Sequence, residues 1–306
     1  MRRARRFLRN GQVLVGLVIV GFFVAVAILA PLLAPPDDPD NPGATRMVGD
    51  KYYDPMPRPP SEEALLGTAP GQIDIYYSLV WGTRSALALG LAVTASTALI
   101  GILLGALSGY AGGLLLGLSL RVTDAFLAFP VISGVWLLRQ VLMPGTPFGE
   151  LSAIQQTFFD LGLSPILLTL IVFSWMPYAR LTSANVIQLK RTEYVQAARS
   201  IGARRRRIIG RHLLPNALPP VIVLGARDVG AMVILTTAFT FIGLGSSTQW
   251  GDLLVAGRDY IIGLGGNPLT YWWVFVPTTL ALILFGIGWN LLGDGLNTVL
   301  DPRLGR

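Results

Sequence analysis

The 306-residue chain contains no cysteine and a single histidine, His212. The first absence excludes disulfides, cysteine metal sites and thiol catalysis, and the second excludes a multi-histidine metal centre. Charge is also scarce: 13% of residues are charged, where a soluble domain carries about a quarter. Lysine occurs only at Lys51 and Lys190, so no Gly-x4-Gly-Lys-Ser/Thr loop exists to cradle a nucleotide phosphate. No HExxH segment occurs either. The chain is expected to bind no metal and no cofactor, and to need another polypeptide for any ATP hydrolysis.

What fills the space is apolar. Hydrophobic residues make up 52% of the chain and mean hydropathy is +0.58. Six runs approach the roughly 20 residues that span a bilayer: Val13–Leu33, about Ala86–Leu107, about Val122–Leu142, Pro165–Ala184, about Val221–Leu244 and Trp273–Leu292. The pattern predicts an all-α membrane protein with about six transmembrane helices. The first run follows Met1-Arg-Arg-Ala-Arg-Arg and is longer than a signal-peptide core, so it reads as an uncleaved helix with its basic end in the cytoplasm. Glycines inside the runs (Gly90, Gly101, Gly105, Gly243, Gly286, Gly288) suit close helix approach, and Gly101 with Gly105 has small-xxx-small spacing.

The net charge of +7 is unevenly placed, which points to membrane orientation and not to nucleic acid. The first loop, 34–78, is proline-rich and predominantly acidic, with Asp37, Asp38, Asp40, Asp50, Asp54, Glu62, Glu63 and Asp74. It reads as an irregular extracytoplasmic segment. The loop between the fourth and fifth runs carries nine basic residues, from Arg180 to Arg211, against Glu193 alone. By the positive-inside rule it is cytoplasmic, and six spans then put both termini on that side. The division expected is 1–33 for the N-terminus and first helix, 34–78 for the loop, and 79–306 for a five-helix core.

Within the basic loop, about 185–216, Thr192 is a good N-cap and Glu193 suits the first turn of a helix. Gly202 stands where a left-handed C-terminal residue is expected. The helix, about Glu193–Ile201, puts Tyr194, Ala197, Ala198 and Ile201 on one small apolar face. It is too short to be stable alone in water. Two readings fit it: a helix resting on lipid headgroups, or a knob inserted into a soluble partner. Pro215, Pro219 and Pro220 mark re-entry into the fifth run.

Gln196-Ala197-Ala198, three residues, Gly202, nine residues, His212, one residue, Leu214-Pro215 resembles the EAA loop of ABC-type import permeases. Gln196 stands for its glutamate and His212 for its isoleucine. Leu66-Gly67-Thr68 through Trp81-Gly82-Thr83-Arg84 resembles the LGT…GRD…YGAR pattern of peptide permeases, with Asp74 on its aspartate and Gln72-Ile73 in place of Gly-Arg. Phe241–Gly245, Trp250–Tyr260, Asn290–Leu296 and Leu300–Leu304 are similar to the same branch. The chain thus resembles the C-type permease of dipeptide, oligopeptide and nickel importers.

The resemblance implies a type I ABC importer permease fold in a bacterial or archaeal cytoplasmic membrane. It implies a homologous second permease, one or two ABC ATPase subunits that bind ATP and Mg, and an extracytoplasmic binding protein. It favours the docked knob, with Glu193, Tyr194, Gln196, Ala197, Ala198, Arg199, Ile201, Gly202, His212, Leu214 and Pro215 as the ATPase-coupling residues. Peptide is the cargo expected; nickel, glutathione and oligosaccharide are alternatives. The external aromatic residues Tyr52, Tyr53, Trp250, Tyr260 and Tyr271 would face the binding protein.

Arg227 and Asp228 fall in the fifth run, where charge is costly and marks a candidate translocation path together with Thr236 and Thr237. Being adjacent on a helix, the two charges diverge by about 100° and do not pair with each other. The opposing reading is that 217–228 approach the membrane at headgroup depth. Asp124, Arg139 and Asp294 read as anchors near span ends. An ion-coupled secondary transporter would show mid-span acids or an internal repeat, and a membrane enzyme would show a catalytic constellation; neither is present.

Overall fold

The computed structural model describes residues 11–49, 55–142, 164–245, 248–262 and 268–300. Its long helices are α1 (Gly11–Leu33), α2 (Ile75–Ala111), α3 (Gly113–Ala128), α4 (Val131–Leu142), α5 (Pro165–Phe173) and α6 (Met176–Leu189). After the short α7 (Glu193–Ser200) come α8 (Leu214–Phe241), α9 (Gln249–Ala256), α10 (Arg258–Ile262) and α11 (Trp272–Leu300). Five helical stretches are long and apolar enough to cross a membrane, or six if α3 with α4 counts as one bent span.

That bend corrects the expected third span. The chain turns by 83° between α3 and α4. Phe129, extended at φ −84° and ψ 125°, precedes Pro130, and the ring of a proline disfavours helical backbone in the residue before it. Hydropathy averaged across the proline hides this break. The second run is also longer than expected: α2 has 37 residues, about 55 Å at 1.5 Å per residue. It starts at Ile75, so the first loop ends earlier than residue 78 and the core begins with α2. The fifth helix is continuous from Arg205 to Phe241 by way of a π-helical turn, Ile208–Leu213.

Small residues bring the helices together. A Cβ added to Gly101 would overlap Tyr178 and Ala179 of α6, and one added to Gly105 would overlap Ala179 and Thr182, which accounts for the spacing noted in the sequence. Gly90 lies so close to α8 that a Cβ would stand 2.8 Å from the Val229 carbonyl. Gly286 faces Ile234 and Gly288 faces Ile19. Gly243 does something else: at φ +86° it ends α8, with Leu244 N–H bonded to the Phe239 carbonyl and Gly243 N–H to that of Thr240. This helix stop uses the left-handed backbone that glycine adopts without strain.

The first loop is ordered where it is described. Trp81 Nε1 donates to the Ala34 carbonyl and Tyr77 Oη to that of Pro42, tying the end of α1 to the start of α2. A two-stranded hairpin, β1 (Thr68–Ala69) with β2 (Ile73–Asp74), precedes α2. Asp74 then caps α2, accepting from Tyr77 N–H at 3.1 Å. Gln72, where the resembled pattern has glycine, holds φ +62° in the hairpin turn. Strands of two residues leave too short a trace in sequence for periodicity to detect.

Candidate functional site

The basic loop folds as a bracket on the end of the bundle. α7 begins at Thr192, whose backbone is extended as an N-cap requires, but its hydroxyl donates to the Leu189 carbonyl instead of accepting from the first turn. The helix stops in a two-bond reversal: Ala203 N–H bonds the Ala198 carbonyl and Gly202 N–H that of Arg199, with Gly202 at φ +76°. That is the glycine stop expected from the sequence.

The faces of α7 differ from expectation at one residue. Val195 is buried in this chain's own cluster with Ala106, Val186, Ile208, Leu213 and Ala217, and Ala198, three residues on, is buried too. Tyr194, Ala197 and Ile201 are exposed, Ile201 by 85%. Ala198 therefore belongs to the inner seam, because residues three apart (195 and 198) share one side while 194, 197 and 201 share the next. Sequence reasoning missed Val195, the side chain that seats the helix. Its signal was the i, i+3 pair with Ala198, obscured by the wider apolar stripe.

Around α7 the other motif residues act as supports. Gln196 Nε2 donates to the Arg191 carbonyl at 3.1 Å, a bond that the resembled glutamate, ionised, could not give. His212 lies in the π-turn with its ring 6.4 Å from that of Tyr194. Leu214 and Pro215 open α8, where a missing N–H is tolerated. Glu193 and Arg199 occupy the first and last turns of α7, matching the helix dipole.

The charges of the fifth run separate as expected. Arg227 pairs with Asp294 of α11, and Tyr178 Oη of α6 donates to Asp228 Oδ2 at 2.6 Å. Gly293, one residue before Asp294, packs on Arg227, and Gly295 packs on Val13 near the start of α1. From Trp272 to Asp294 α11 rises about 33 Å, roughly the hydrocarbon thickness. Arg227 thus lies level with the start of the first helix. Tyr178 was missed in sequence, since a lone tyrosine has no partner until the helices pack.

Asp124 pairs with Arg180 of α6, and Arg139 donates to the Gly243 carbonyl at 2.6 Å. Both are interhelical anchors, as is Asp294. Thr236 and Thr237 are buried within the chain, so they line no open passage here. Trp250, grouped with the external aromatics, is fully buried beside Phe23 and Phe285, with Nε1 donating to the Leu79 carbonyl at 3.0 Å. It is a core residue. Tyr260 and Tyr271 stack edge-on at 4.9 Å, while Tyr52 and Tyr53 lie outside the described residues. An open cavity of about 580 Å³ lies near the loop end of α2, lined by Thr45, Ser85, Ala92, Leu167, Thr248 and Gln249. Ser85 Oγ donates to Gln249 Oε1 at 2.7 Å there.

A bundle of apolar helices with a bracketed basic loop defines a multi-pass membrane permease. The chain belongs to the family described as the binding-protein-dependent transport system inner membrane component, whose model matches residues 101–306. Residues 1–52 match the N-terminal transmembrane domain of oligopeptide transport permease C. It is 32% identical over 250 residues to a probable D,D-dipeptide transport system permease protein of Escherichia coli (strain K12), covering 81% of this chain and 76% of that one. It is 29% identical over 304 residues to an oligopeptide transport system permease protein of Bacillus subtilis (strain 168), covering 98% and 88%. A glutathione transport system permease protein of Pectobacterium atrosepticum is 30% identical over 306 residues, covering 98% and 90%. The chain is therefore a non-catalytic, inner-membrane permease component of an ABC importer that works with other transporter components.

Proposed function

We propose that this permease imports di- or oligopeptides, coupling to ATPase subunits through the outer face of α7. The observation that carries the coupling reading is the division of α7 into two faces. Val195 and Ala198 fasten it to the permease, while Tyr194, Ala197 and Ile201 stand free on a side that water alone would not stabilise. A helix anchored on one side and bare and apolar on the other suits a groove in a soluble partner. Gln196, Arg199, Gly202, His212, Leu214 and Pro215 hold that helix at its angle, with Glu193 at its free end.

The partners in this reading are a homologous second permease, one or two ATPase subunits holding ATP and Mg, and an extracytoplasmic binding protein that delivers cargo. The permease itself holds no cofactor. Both termini and the α7 loop are cytoplasmic, and loop 34–74 is external, as the charge asymmetry supports. The passage opens at the Ser85–Gln249 cavity, whose wall combines hydroxyls, an amide and the carboxylate of Asp252 with alanine and leucine, groups suited to peptides of varied side chain. Peptide as cargo rests on the names of the dipeptide and oligopeptide relatives.

Affinity purification of the tagged chain from its native membrane tests the assembly. A second permease and ATPase subunits should copurify, and the isolated chain should hydrolyse no ATP. Sustained hydrolysis by the chain alone would refute the assignment. Peptide uptake in liposomes carrying the complete transporter and its binding protein should compete with unlabelled peptides and not with nickel.

A further inference from the structure

A second cavity, about 400 Å³, lies behind α7, between it and the turn joining α2 to α3. Lys190, Arg191, Arg199, Gln196, Gly112 and Leu116 line it, and among the described residues no carboxylate does. Lys190 Nζ donates to the Tyr110 carbonyl at 2.6 Å, and the Lys190 and Arg199 cations each stand 5.4 Å from the Tyr110 ring. Two of the three cations are thus held in place by one residue at the end of α2. Converging cations without a carboxylate among them leave positive charge for an anion to neutralise.

The surroundings say which anion. Leu116 lies on α3, and its neighbours Leu114, Leu115 and Leu118 are exposed, Leu114 by 81%. A bare leucine surface on a membrane helix is covered by acyl chains. Anionic charge at the cavity and hydrocarbon beside it are the two ends of one molecule. We infer that this cavity seats the headgroup phosphate of an anionic membrane phospholipid, with an acyl chain along the α3 leucines. The phosphate would bridge α7 to the α2–α3 turn, so the coupling helix would be stiffened by lipid from behind. The site uses the inner side of the loop and stands whether or not α7 docks an ATPase.

The test is native mass spectrometry of the full-length chain in mild detergent, titrated with phosphatidylglycerol or phosphatidylcholine. The wild type should retain phosphatidylglycerol at least about tenfold better than phosphatidylcholine, each nearby cation adding to the attraction. Lys190→Gln with Arg199→Gln should lower that retention by about tenfold or more, while Lys190→Arg with Arg199→Lys should keep it. Arg205→Gln with Arg206→Gln removes equal charge outside the cavity and should change little. Leu116→Glu, which adds a carboxylate at the cavity wall without touching the Tyr110 contacts, should also release the lipid with helical content unchanged. The proposal fails if the cavity variants or Leu116→Glu retain phosphatidylglycerol like the wild type. It also fails if the Arg205–Arg206 pair loses as much, or if inorganic phosphate displaces the lipid.

Discussion

Arg227 of α8 holds Asp294 of α11 in an ion pair, while the next residue, Asp228, turns the other way to take a hydrogen bond from Tyr178 of α6. Two adjacent charges thereby join three helices. Replacing one member of the Arg227–Asp294 pair leaves its partner uncompensated. Arg227→Ala and Asp294→Ala should each destabilise the purified permease, and the double variant should lose less than their sum. A coupling of about 0.5–2 kcal/mol is expected, as both side chains are partly exposed. Thermal melting of the four proteins in detergent measures it, and strict additivity would mean the pair contributes nothing.

The Tyr178–Asp228 bond makes a contrasting case. Tyr178→Phe deletes the donor and strands a carboxylate, at a cost of about 1–3 kcal/mol. Asp228→Asn keeps an acceptor for the tyrosine and removes a charge from a half-buried position, so it should cost less than Tyr178→Phe or nothing. Equal losses in melting would show that the hydrogen bond is not what Asp228 is there for.

Packing of α2 on α6 depends on two missing side chains. Gly105→Ala would drive a methyl into the Ala179 carbonyl, with an expected loss of about 1–3 kcal/mol. Gly117→Ala meets nothing within 4 Å and should be neutral or gain about 0.5–1 kcal/mol from helix propensity. Denaturation of both variants in the same detergent decides it; a stable Gly105→Ala would place the helices farther apart than described.

For α7, substitutions on its two faces should fail differently. Ala197→Asp should leave the fold intact and abolish ATPase pull-down. Ala198→Asp would put a carboxylate at a buried position, so the loop itself should unseat and protease should cut it. Gly202→Val opposes a φ of +76° and should cost about 1–2 kcal/mol. Arg205→Ala should do little. Normal association of Ala197→Asp with the ATPase would make α7 a helix that merely rests on lipid.

Topology can be read without removing any native residue, because there is no cysteine. Single cysteines at Glu62 and at Arg204 should react with a membrane-impermeant maleimide from outside and only after permeabilisation, respectively. The reverse pattern would invert the orientation.

Composition and charge alone determined the class of protein, the number of apolar runs to within the bent third one, and the limits of α7. Hydropathy and the Thr192 and Gly202 boundaries are local properties, so no folding is needed to read them. The anchoring roles of Asp124, Arg139 and Asp294 were also legible, since charges near span ends are costly unless paired. Tertiary structure decided the rest. Only packing showed that Ala198 turns inward behind Val195, and that Trp250, Thr236 and Thr237 are buried. It also supplied Tyr178 as the partner of Asp228. The physical reason is that a small apolar or hydroxyl side chain carries no mark of which neighbour will cover it. In a chain this rich in such residues, inside and outside are assigned by the closest approach of helices at glycine, which is a relation between distant segments.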